Sequence, residues 1–189
     1  MSGEVLYTTQ WNHWNRQPMP GHSYLDEAAA RALWDSDGLL LVLDGSRRGP
    51  AGEALARWSF TAHKGDGARC KFYTPAGSMW REVHYKLIDG RLWRWIVTDW
   101  EYPDDDRMYI EPKALFRIKG VADPDGTGYV DFFDEKVGKG NITEFRDYPF
   151  PAGYWMDPPQ FGDWSRLADP DNGTDGQDFR MPGALIPQG

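Results

Sequence analysis

Apolar positions along the chain fall into two regimes. Leu25, Ala29, Ala32 and Leu33 recur at i, i+4, i+7 and i+8, one stripe on a period of 3.6, which predicts an amphipathic helix over 24–35. Ser23 is placed to cap it, with Asp26 three residues on, and Gly38 to stop it. Residues 39–44 form a short apolar run, the mark of a buried strand. From about 56 to 148 the period is 2. Trp58, Phe60 and Ala62 alternate with polar residues, as do Cys70, Phe72 and Thr74. Residues 80–88 and 91–102 flank Asp89-Gly90, a strong two-residue hairpin signal. Residues 114–121 and 129–133 flank a second turn, and 141–148 offers one more strand.

This pattern predicts a single α+β domain over 1–148. One N-terminal amphipathic helix packs on a mostly antiparallel, meander-like sheet of about six to eight strands. Curling to a half-barrel is left open. Before the helix, Trp11, Trp14, Pro18 and Pro20 read as an extended lead-in. Residues 149–189 hold seven of the fourteen prolines, six aspartates and two arginines. They form an extended, acidic C-terminal arm, anchored by Tyr154, Trp155, Phe161, Trp164, Phe179, Leu185 and Ile186.

The Asp89-Gly90 turn sets a register. Ile88 faces Arg91, Lys86 faces Trp93, His84 faces Trp95, Glu82 faces Val97 and Trp80 faces Asp99. The opposite face, with Val83, Tyr85, Leu87, Leu92 and Ile96, is apolar and points to the core. The candidate binding face therefore carries Trp80, Glu82, His84, Lys86, Trp93, Trp95 and Asp99. Glu82 and His84, two apart, would be the acid/base pair if the site were catalytic.

Composition narrows the classes. The chain has 189 residues, 40% hydrophobic and 26% charged, with ten tryptophans. No apolar run approaches the ~20 residues of a membrane span, so no membrane partner is expected. The N-terminus lacks a secretory pattern, which points to a cytoplasmic protein. The lone cysteine excludes an intrachain disulfide. No phosphate loop, dinucleotide fingerprint, paired-histidine zinc helix or nucleophile elbow is present, so no cofactor is expected. The 123–131 stretch with Asp134 nearly fits a calcium loop, Asp123, Asp125, Asp131 and Asp134 being the ligands. Its flanks read as strands, so a hairpin turn is the better account and no metal is expected.

The formal net charge of −8 disfavours nucleic acid. Residues 57–94 are locally basic, with eight Lys/Arg against three acids. The acidic arm and the Asp104-Asp105-Asp106 loop are expected to lie against them. The expected function is a non-catalytic binding protein. Its acidic, tryptophan-rich surface would engage a basic protein partner, as an immunity or antitoxin-like neutraliser does. Two alternatives stand: a small-molecule-binding β-barrel or small enzyme with a Trp/His/Glu-lined lumen, and a structural subunit reaching neighbours with its terminal arms.

Overall fold

In the computed structural model, which describes residues 4–63 and 66–174, the helical stripe forms α1, Glu27–Asp35. Asp26 caps it, accepting from the Ala29 N–H at 2.8 Å. Ser23 does not, because the chain before Asp26 is held extended. The Leu25 N–H donates to the Tyr7 carbonyl at 2.8 Å, and the Thr8 hydroxyl donates to the Ser23 carbonyl at 2.9 Å. At the other end Asp37 takes φ +57° and the Gly38 N–H closes on the Leu33 carbonyl at 2.9 Å, a left-handed C-terminal turn. The helix is not N-terminal. Three strands precede it: β1, Val5–Thr8; β2, Trp11–Asn12; and β3, Gln17–Pro18.

The period-2 region becomes β4 (Leu40–Asp44), β5 (Trp58–His63), β6 (Gly67–Tyr73), β7 (Met79–Ile88), β8 (Arg91–Glu101), β9 (Phe116–Ala122), β10 (Gly128–Asp134) and β11 (Lys139–Phe145). Each pairs antiparallel with its neighbour in the order β1-β4-β5-β6-β7-β8-β9-β10-β11. A two-residue strand, β12 (Trp155–Met156), pairs with β8 beside β9 and completes a ten-stranded sheet. β2 and β3 pair only with each other. The sheet is an open path with β1 and β11 at its edges, and it does not curl into a half-barrel. It exceeds six to eight strands because β1 and β12 are too short for periodicity to register.

Alternation puts Val42, Phe60, Cys70, Val83 and Val97 in one row across five adjacent strands. All five are buried, and α1 covers the row through Ala30 and Trp34. Met156, Trp164 and Leu167 pack into the same core. Two satellite clusters lie elsewhere: Leu43, Ala54 and Ala56, and Trp93, Ala122 and Tyr154. Phe179, Leu185 and Ile186 lie outside the described residues. Among those described, no helix is long and apolar enough to cross a membrane.

Residues 156–174 run along the core face and tie to its arginines. Arg81 donates to Asp171 at 2.7 Å. Arg94, fully buried, donates to the Pro170 carbonyl at 2.9 Å and to the Tyr85 hydroxyl at 3.0 Å. The acidic segment thus meets part of the basic region, through Arg81 and also Arg91, which lies 3.4 Å from Asp157. Arg69 and Lys71 pair instead with Glu82 on the opposite face.

Candidate functional site

The hairpin turn forms as its sequence predicts. Asp89 and Gly90 both take positive φ, +48° and +79°, as a type I′ turn requires. Ile88 opposes Arg91 and Lys86 opposes Trp93. The register then shifts between His84 and Tyr85. Tyr85 opposes Arg94, His84 opposes Ile96, Glu82 opposes Thr98, and Arg81 opposes Asp99. His84 does not face Trp95, Glu82 does not face Val97, and Trp80 does not face Asp99. Trp95 is one extra residue in β8, and a single bulged residue reverses the alternation beyond it. Val97 therefore enters the core, and Ile96 leaves it.

The bulge turns Asp99 to the other face, and the segment with Phe150, Tyr154 and Trp155 covers Trp93. Glu82, His84 and Lys86 remain together on the open side of the sheet, with the Lys86 ammonium 5.3 Å from the centroid of the half-buried Trp95 ring. A cleft of about 330 Å³ adjoins His84, Lys86, Trp95 and Arg69. Trp93 is 2% exposed and belongs to a satellite core. Its indole N–H donates to the Ala122 carbonyl at 2.7 Å, and its ring lies 4.9 Å from Trp155 and 5.4 Å from Tyr154. Asp99 faces the other way, gripped by Arg81 at 2.6 and 2.7 Å.

Glu82 and His84 do meet, at 3.0 Å. The Glu82 side chain is only 8% exposed and also accepts from Arg69 at 2.7 Å. Burial pushes its carboxyl up, but hydrogen bonds from His84 and Arg69 and the Arg69 charge outweigh burial and hold it at about 2. A carboxyl held so low is ionised at neutral pH, and it donates no proton there.

A larger site forms at one end of the sheet. In an antiparallel meander, strand starts and ends alternate along each rim. The starts of β1, β5 and β7 and the ends of β4, β6 and β8 therefore lie together. A cleft of about 500 Å³ opens there, walled by Trp58, Phe72, Trp80 and Trp164 and closed on one side by residues 162–170. A second cleft, of about 430 Å³, is lined by Trp100, Glu101, Tyr102, Asp104 and Asp105. The two share Tyr73, Pro75 and Trp80, so they adjoin along this rim, and together they are called the groove below.

The groove's charge is lopsided. Glu4, Asp44, Asp163, Glu101, Asp104 and Asp105 line it, against a single guanidinium, Arg57. Arg57 is already engaged, its Nε donating to Asp44 at 3.1 Å. Burial pushes the Asp44 carboxyl up, yet hydrogen bonds from Ser46 and Arg57 hold it below its ordinary value. Asp104 accepts from the Tyr109 hydroxyl at 2.9 Å, which orders the outer loop. Asp163 stands exposed at the mouth of the inner cleft and, among the described residues, accepts from its neighbour Ser165 at 3.0 Å.

Of the residues expected in the site, only Trp80 lies in this groove. The groove's other residues sit at strand ends, which alternation along a strand does not mark. The available signal was aromatic residues beside charged ones at strand termini: Arg57-Trp58, Trp80-Arg81 and Trp100-Glu101. The four aspartates of the calcium-like stretch do not converge. Asp125 accepts from Thr127 within the turn, Asp131 pairs with Arg117, and Asp134 accepts from the Val137 N–H beyond the far end of β10, about 20 Å along the strand. Among the described residues no three His, Cys, Asp or Glu side chains are placed to hold a metal. No protein-family model, curated protein or solved structure matches this chain significantly. The functional reading rests on the groove.

Proposed function

We propose that this is a non-catalytic binding protein whose acidic, tryptophan-walled groove engages a basic protein partner. One observation carries the reading: two clefts joined at Trp80 are lined by six carboxylates and one guanidinium, between aromatic walls. Carboxylates of one sign in a groove raise the rate of encounter with a cationic surface. Half-buried indoles supply the contact area on which hot spots are built. A cytoplasmic neutraliser of a basic protein would use such a surface.

The inner cleft supports a second reading. Its volume, about 500 Å³, falls within the range of small-molecule pockets. A lysine- and arginine-rich nonapeptide, labelled for fluorescence anisotropy, separates the two. The partner reading predicts saturable binding that weakens by about tenfold between 50 and 300 mM salt. It also predicts that Asp104→Asn/Asp105→Asn weakens binding without changing the melting temperature. A peptide that binds no better than its acidic counterpart would overturn it.

A further inference from the structure

The inner half of the groove differs from the outer half. Around Asp104 and Asp105 every charged residue of the lining is acidic. Between Trp58, Phe72, Trp80 and Trp164 it is a chamber with aromatic walls. Within it Asp44 is nine-tenths or more buried and fully occupied by Ser46 and Arg57. Asp44 therefore cannot turn to a ligand. The carboxylates left to face an occupant are Asp163, on the loop that closes one wall, and Glu4, beside β1. Glu4 also pairs with the partly exposed Arg48, at 2.9 Å.

Resting on the reading above, we infer that the inner cleft takes one arginine side chain of the basic partner. Its guanidinium lies against the Trp58 and Trp80 rings, beneath Asp163 and Glu4. Three physical arguments select that group. An anion would meet Asp163 and Glu4, and the one guanidinium in the lining, Arg57, already has its charge paired with Asp44. A lysine ammonium is compact and strongly hydrated, so an aromatic chamber returns little of its lost hydration. A guanidinium is planar, delocalised and weakly hydrated; it stacks on an indole while its edge donates to a carboxylate. Trp58 and Trp80 are braced for that role. Trp58 stacks on the buried Phe60 at 5.8 Å, and Trp80 leans on the buried Phe72 at 6.3 Å. Each is only half-buried; the chain's own Arg81 guanidinium lies 5.0 Å from the Trp80 ring centroid, so an occupant takes the Trp58 ring and the Trp80 surface that Arg81 leaves.

Titration of the full chain with Nα-acetyl-arginine methylamide, followed by the indole N–H resonances, tests the inference. Trp58→Phe and Trp80→Phe assign the two signals. Both should shift and saturate with the arginine derivative. The lysine derivative should bind about threefold more weakly, and the isosteric neutral citrulline derivative about tenfold more weakly. Asp163→Asn should weaken arginine binding by about threefold with an unchanged melting temperature. Equal binding of citrulline, or saturation by methyl glucoside instead, would overturn the inference in favour of a neutral-ligand pocket. Equal binding of lysine would overturn the guanidinium assignment. If the arginine derivative leaves both indoles unmoved while the basic nonapeptide still binds through Asp104 and Asp105, the arginine assignment fails alone. If neither binds, the partner reading fails with it.

Discussion

Glu82 and Trp93 show how far a residue's surroundings decide its part. Glu82 sits between Arg69, Lys71 and His84, and its carboxyl is held at about 2. A folded-state value below the unfolded one contributes stability that is fully present above about pH 4.5. It is lost as the pH falls toward 2. Glu82→Gln should therefore cost on the order of 2 kcal/mol at pH 7, after discounting for the exposed Arg69. It should also flatten the fall in stability between pH 5 and 2, read by urea denaturation across that range. Trp93 carries the opposite lesson. Trp93→Ala should cost about 3–5 kcal/mol, because the ring fills a buried cluster with Tyr154 and Trp155. Trp95→Ala, at the half-buried bulge, should cost no more than about 1 kcal/mol. Denaturation midpoints of the two variants should differ accordingly.

Among the elements, the bulge in β8 and the segment after β11 matter most. The bulge lets Leu92 and Arg94 face the core before it, and Val97 and Asp99 after it. Without the extra residue, Ile96 would face inward and Val97 outward, while Asp99 would turn away from Arg81. The segment after β11 is equally constrained. Met156, Trp164 and Leu167 are each at most 4% exposed within the main core. The Trp164 ring lies 5.3 Å from both Trp34 and Phe60, so it joins α1 to the sheet. Ending the chain after Tyr148 should therefore leave the core face uncovered. The expected outcome is loss of a cooperative melting transition, or a fall of more than about 10 °C, by calorimetry. An unchanged transition would mean that the sheet and α1 close the core without this segment.

For the molecule as a whole, the antiparallel order gathers one set of strand ends into an acidic groove. Six of the chain's 29 acidic residues line it, against one of its 21 lysines and arginines. Steering by such a field acts on the encounter more than on the bound state. Asp104→Asn/Asp105→Asn should lower the association rate for the basic nonapeptide severalfold at 50 mM salt and leave the dissociation rate nearly unchanged, by stopped flow. A change confined to the dissociation rate would place these carboxylates in direct contact with the bound peptide and not in steering.

Periodicity and turn chemistry, both local properties, made the helix, the meander and the Asp89-Gly90 turn legible in the sequence. Phe60, Cys70 and Val83 announce their burial by alternation, and Val42 by its place in a continuous apolar run. The cap at Asp26 lies one turn from Ser23 because a distant carbonyl, that of Tyr7, claims the Leu25 N–H. The bulge at Trp95 leaves no local signature, since plain alternation puts Ile96 inward as plausibly as the bulge puts Val97 there. The contacts of β8 with β7, β9 and the 170–172 carbonyls select between them. The groove was the least legible part. Its residues span positions 4 to 170 and meet only because alternating strands bring their ends to one rim and the 162–170 loop folds over them. Local pattern determined which segments became strands and helix, because it records what each backbone stretch can bury. Tertiary packing decided which side chains share a surface, because that depends on register and on strand ends far apart in the chain.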